Sequence, residues 1–116
     1  MPGTLDQITG QMRRPLSREW NAISNTSMIT IGGSVLPTQR VKILKFLLSV
    51  DTAVIVSVRS NPGNDMHKFD MVQNGQVNLM GDYRNPVFTT NLGESFTVQA
   101  SGNNTGSLYV EFVLED

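Results

Sequence analysis

The chain of 116 residues contains no cysteine, which removes disulfides, thiol nucleophiles and thiolate metal sites together. It has a single histidine, His67, so paired imidazole ligands are excluded and any nucleophile–histidine–acid triad would have to use that residue. No apolar run reaches transmembrane length, and no apolar stretch follows the first basic residues. The chain therefore reads as soluble, with no signal peptide or membrane span. Trp20 is the sole aromatic near Arg13, Arg14 and Arg18, and the acidic body lacks the interleaved aromatic and basic face that binds single-stranded nucleic acid. Protein is the expected partner rather than nucleic acid.

What is present suits a globular domain. Hydrophobic residues make up 39% and charged residues 16%, enough apolar surface to close one core at this length. The net charge of −1 hides a split. Residues 1–48 carry Arg13, Arg14, Arg18, Arg40, Lys42 and Lys45 against Asp6 and Glu19, while the remainder carries more acids than bases. Such a split suits arm-to-body docking between copies or docking on an acidic partner.

Residues 1–25 read as an N-terminal arm. Pro2, Gly3 and Gly10 discourage regular structure, and Met12-Arg13-Arg14-Pro15 precedes a stretch in which Ser17 could cap a short helix bearing Trp20 and Ile23. A helix so short is marginal without a surface to lie on. Arg13, Arg14, Arg18, Trp20 and Ile23 are the arm's candidate contacts with protein, either on its own domain or on a neighbour.

Residues 26–116 read as β-structure. Met28–Ile31 is a first short strand ended by Gly32-Gly33. Val41 to Arg59 holds two apolar runs meeting at the corner Asp51-Thr52, read as a hairpin. Its second run alternates in the manner of a strand. Its first is apolar on both parities, with Ile43 and Leu47 on one face and Leu44, Phe46, Leu48 and Val50 on the other. A strand of that kind needs cover on both sides, and Leu44, Phe46 and Leu48 become candidate contacts with another subunit. A helix over 41–50 also fits, because Ile43, Phe46, Leu47 and Val50 share a helical face. Further strands follow. Phe69 and Met71 share a face with Val77 and Leu79 if Gln73-Asn74-Gly75 forms a three-residue hairpin loop with Gly75 left-handed. Then come Pro86–Thr89, the alternating Phe96, Val98 and Ala100, and a last strand with Leu108, Val110, Phe112 and Leu114 inward. About eight short strands at regular spacing predict an all-β fold, an antiparallel β-sandwich of jelly-roll type with an extended N-terminal arm.

Little reactive chemistry is legible. Beside the strand start, His67 reads as a partly buried side chain rather than a general base. Asp65, Asp70 and Asp82 fall near strand ends, but in no calcium-loop pattern. Gly32-Gly33 lacks the Lys-Ser/Thr of a phosphate loop. The expectation is therefore no enzyme, no cofactor and no metal.

The succession from the apolar Val41–Arg59 stretch through Phe69–Leu79, Pro86-Val87-Phe88, Gly93–Val98 and Gly106–Phe112 resembles that of small β-sandwich proteins of tailed-phage virions. Capsid decoration (cement) proteins are the nearest kind, and the likeness covers roughly residues 41–114. It implies a structural role on the virion surface after synthesis in the host cytoplasm. The implied partners are the major capsid protein, or another virion protein, and further copies of the chain, with a homotrimer favoured. A carbohydrate- or receptor-binding sandwich of a phage tail or fibre is the alternative role, and it would require exposed aromatics on a flat face.

Overall fold

The structure, a computed structural model, describes residues 16–24, 26–61 and 64–115. Within them lie nine strands: β1 (Ser17–Ile23), β2 (Ile29–Ile31), β3 (Arg40–Ser49), β4 (Val54–Asn61), β5 (Asn64–Met71), β6 (Gln76–Met80), β7 (Phe88–Thr89), β8 (Ser95–Ala100) and β9 (Gly106–Glu115). They form two antiparallel sheets. One has the order β1-β9-β3-β6, with the short β7 also on β3, and the other the order β2-β8-β4-β5. Successive strands pass from sheet to sheet except at the β4–β5 hairpin and the β6–β7 connection. This wrapping is the jelly roll expected from the strand pattern.

The alternating positions close the core as their parity requires. Val54, Val56 and Val58 of β4, Phe96, Val98 and Ala100 of β8, and Leu108, Val110 and Phe112 of β9 are all buried in it. At its centre, the ring of Phe46 lies 5.6 Å from Phe69, 5.6 Å from Phe88 and 6.3 Å from Phe96. Offset and edge-on rings at such spacing add to the gain from burial alone.

Four local expectations are corrected. Residues 17–23 are strand, not helix, so the sandwich starts no later than Ser17 and includes the part of the expected arm that reads as a short helix. β1 pairs with β9 from Ser17↔Phe112 to Ile23↔Gly106. A ladder along a full strand outweighs the weak propensity of one or two helical turns. Secondly, Asp51-Thr52 is a corner between sheets, because β3 and β4 lie in different layers.

Thirdly, the two-sided apolar pattern of β3 comes from a β-bulge. The β3–β9 register shifts between Ile43 and Lys45, leaving Leu44 as an extra residue. Val41 and Ile43 point inward before it, and Phe46, Leu48 and Val50 point inward after it, all buried in the core. One inserted residue exchanges the parities, and each half then buries a single face.

Fourthly, the turn after β5 also joins two sheets. Gly75 N–H donates to Val72 O at 2.9 Å, and Asn74, not Gly75, has the left-handed φ of 58°, which Asn tolerates. Phe69, Met71, Val77 and Leu79 do converge on the core, with Met71 the most deeply buried of them.

Candidate functional site

The outer face of the β1-β9-β3-β6 sheet is where side chains collect that the fold does not use. Antiparallel pairing sets them in rows across the strands. Trp20 opposes Tyr109, Tyr109 opposes Leu47, and Leu47 opposes Asn78. The neighbouring row is Ala22, Ser107, Ser49 and Gln76, and on the other side run Arg18, Glu111, Lys45 and Met80. Trp20 is 71% exposed and Met80 73%. The alternation of β1 puts Ile23 in the core and Trp20 outside, because the two differ in parity.

Two shallow grooves mark this face. One, of about 170 Å³, is lined by Trp20, Tyr109, Leu47, Asn78, Gln76 and the paired Ser49 and Ser107, with Leu48 at its floor. The Trp20 and Tyr109 rings lie 4.5 Å apart between centroids, tilted by 43°. Ser49 and Ser107 share a hydrogen bond of 3.0 Å. Among the described residues, the side-chain amides of Gln76 and Asn78 make no hydrogen bond. The lining carries no formal charge. The other groove, of about 330 Å³, is lined by Leu16, Leu44, Met80, Tyr83 and the charged Lys45, Asp82 and Glu111.

Of the three charges in the row that borders the first groove, Arg18 and Glu111 pair with each other, and Lys45 lines the second groove. Glu111 takes an ion pair from Arg18 Nε at 3.6 Å and a hydrogen bond from the Tyr109 hydroxyl at 2.6 Å. That bond, with burial and the carboxylate's charge, raises the phenol above its ordinary value, so Tyr109 stays a neutral donor. Further along the face, Tyr83 donates to Glu115, and Lys42 sits 3.1 Å from the same carboxylate and 4.3 Å from the Tyr83 ring centroid. Burial alone would push the Glu115 carboxyl up, but the bonds from Tyr83 and Lys42 bring it below its usual value.

Of the sequence-derived arm contacts, Arg13 and Arg14 lie outside the described residues. Arg18 and Trp20 stand on the outer face, and Ile23 is buried in the core, so it offers nothing to a partner. Phe46 and Leu48 are likewise interior, and Leu44 is buried at the bulge, bordering the larger groove. None of these three forms an exposed subunit contact. Contrary to expectation His67 is exposed, its ring set edge-on to Phe69 at 4.5 Å. Asp65 is tied to Arg59 at 2.7 Å, and Asp82 caps its own turn through the N–H groups of Arg84 and Asn85. Among the described residues, no three His, Asp or Glu gather in a way that could hold a metal ion.

Sequence reasoning passed over Gln76, Asn78 and Ser107, though their outward parity was readable. Asn78 alternates with Val77 and Leu79, and Ser107 lies two positions from the outward Tyr109. What could not be read was that β6 and β1 share one sheet, at opposite edges. No family model matches the chain, and no curated protein matches its sequence.

Proposed function

We propose that the chain is a non-enzymatic structural protein of a tailed-phage virion, a decoration protein that binds the major capsid protein outside the head and self-associates there. The observation that carries this reading is a pair of leucines at one end of the sandwich. Leu36, on the β2–β3 connection, is 59% exposed, and Leu92, before β8, is 54% exposed. Their two loops are tied together by the Gly93 N–H donating to Gln39 O at 2.7 Å. Two leucines left in water on adjoining, hydrogen-bonded loops suit a contact between copies better than they suit a solitary domain. The core needs no help from a neighbour, so this contact serves assembly and not folding.

The charge split supports the same role. Arg13 and Arg14 precede β1, and the acid-rich remainder of the chain suits docking of that segment on a neighbouring copy or on an acidic shell surface. A trimer is the form implied by the resemblance to decoration proteins.

Light scattering with size exclusion should give a mass above the 12.8 kDa of one chain. The double variant Leu36→Asp/Leu92→Asp should return it to that value, and removal of residues 1–15 should weaken sedimentation with phage heads. A wild-type protein that stays monomeric at high concentration, with shell binding untouched by the truncation, would refute the reading.

A further inference from the structure

We propose that the Trp20 groove is a binding site for a neutral saccharide. The chemistry of its lining selects the ligand class. The indole of Trp20 is 71% exposed even though it rests against Tyr109, so one flat apolar surface is left open to a ring stacked upon it. Beside it stand groups that donate and accept without charge: the amides of Asn78 and Gln76 and the Ser49 and Ser107 hydroxyls. An apolar partner would strand those two amides without hydrogen bonds, which is costly once water is excluded. A charged ligand would meet no opposite charge in the lining: Arg18 and Glu111 at its border face each other, and Lys45 of the same row belongs to the lining of the other groove. A molecule with an apolar C–H face and a rim of hydroxyls satisfies both halves of the groove.

The geometry agrees. The row Trp20–Tyr109–Leu47–Asn78 crosses four strands, a span on the order of 14 Å at ordinary strand spacing. That is room for a short oligosaccharide laid across the sheet, with one ring on Trp20 and hydroxyls within reach of Asn78 and Gln76. At about 170 Å³ the groove is too small and open to enclose a drug-sized molecule. A ligand that binds by one face needs no enclosure. The rows lie on a regular ladder of the sheet, so the groups are held in place before binding, which lowers the ordering cost.

The site is independent of the assembly role, which rests on Leu36, Leu92 and the segment ahead of β1. Trp20 is also the only tryptophan in the chain, so intrinsic fluorescence reports on this groove alone. The full chain should be applied to an array of neutral hexopyranose oligosaccharides. Each hit is then titrated while indole emission and ¹⁵N amide shifts are followed.

The expected result is a saturable emission change, with shifts centred on Leu47, Gln76, Asn78 and Tyr109. Trp20→Ala should lose about tenfold or more in array affinity, and Asn78→Ala about three- to tenfold. Trp20→Phe should retain part of the affinity, and Lys68→Ala, on the other sheet, all of it. Circular dichroism and melting temperature confirm that each variant is folded. An empty array overturns the proposal. So does binding that survives Trp20→Ala, binding confined to acidic glycans, or an equal response to adenosine, which would mark a general stacking surface.

Discussion

The carboxylate of Asp51 is bonded twice to Thr105, 54 residues away. Its Oδ1 accepts the Thr105 N–H at 2.7 Å, and its Oδ2 accepts the Thr105 hydroxyl at 2.5 Å. The β3–β4 corner is thereby fastened to the β8–β9 loop at one end of the sandwich. Glu94 does similar work among the β4–β5 and β7–β8 connections, accepting from Ser60 at 2.5 Å, Asn91 at 3.0 Å and Asn64 at 3.2 Å.

These bonds predict how stability depends on pH. The Thr105 hydroxyl and then its N–H hold the Asp51 carboxyl below its ordinary 3.8, and Ser60 followed by Asn91 hold Glu94 below 4.5. Groups depressed in the folded state contribute stability above their unfolded values and lose it as pH falls through the folded ones. Melting temperature should therefore hold steady from neutrality to roughly pH 4.5 and decline below that. Asp51→Asn should lower it near neutral pH and reduce the acid decline. Thermal melts from pH 7 to pH 2.5 check both.

The bulge makes a prediction about deletion. Removing Leu44 restores plain alternation to β3 and keeps Val41, Ile43, Phe46, Leu48 and Val50 inward. Removing Leu47 instead sends the residues on one side of the cut to the wrong face. The variant lacking Leu44 should melt cooperatively, at a reduced temperature because the Leu44 carbonyl accepts the Gly81 N–H at 2.8 Å. The variant lacking Leu47 should not fold. Circular dichroism melts and amide NMR dispersion separate the two outcomes.

Phe46 tests the placement of the apolar stretch. A subunit-contact role would make Phe46→Ala a change in oligomeric mass with little loss of monomer stability. Its full burial among Phe69, Phe88 and Phe96 predicts the reverse. Urea denaturation should show a loss of about 3–5 kcal/mol.

Two glycines, Gly102 in the β8–β9 loop and Gly106 at the start of β9, should respond differently to alanine. A Cβ on Gly106 would stand 2.1 Å from Ser49 O and 2.6 Å from Asn104 Oδ1, so backbone would have to move. On Gly102 it would meet only Val54 Cγ1 at 3.6 Å, an ordinary contact. Gly106→Ala should cost in the overpacking range of about 1–3 kcal/mol. Gly102→Ala should be neutral or slightly stabilising through reduced unfolded-state entropy. Parallel urea titrations compare them.

Much of this molecule is set by information local to the sequence. The period-two alternation of β4, β8 and β9 marks the core residues of those three strands, and the Gly, Asn and Pro clusters mark most of the turns, because parity and turn chemistry depend on immediate neighbours. Hydrogen bonds between distant strands decided the rest. They drew Ser17–Ile23 into a strand beside β9, sent β3 and β4 to opposite layers, and placed Leu44 as the extra residue that turns an apparently two-faced strand into a one-faced one. They also brought Trp20 of β1 and Asn78 of β6 onto one surface. That meeting depends on two strands between them, which no spacing along the chain encodes.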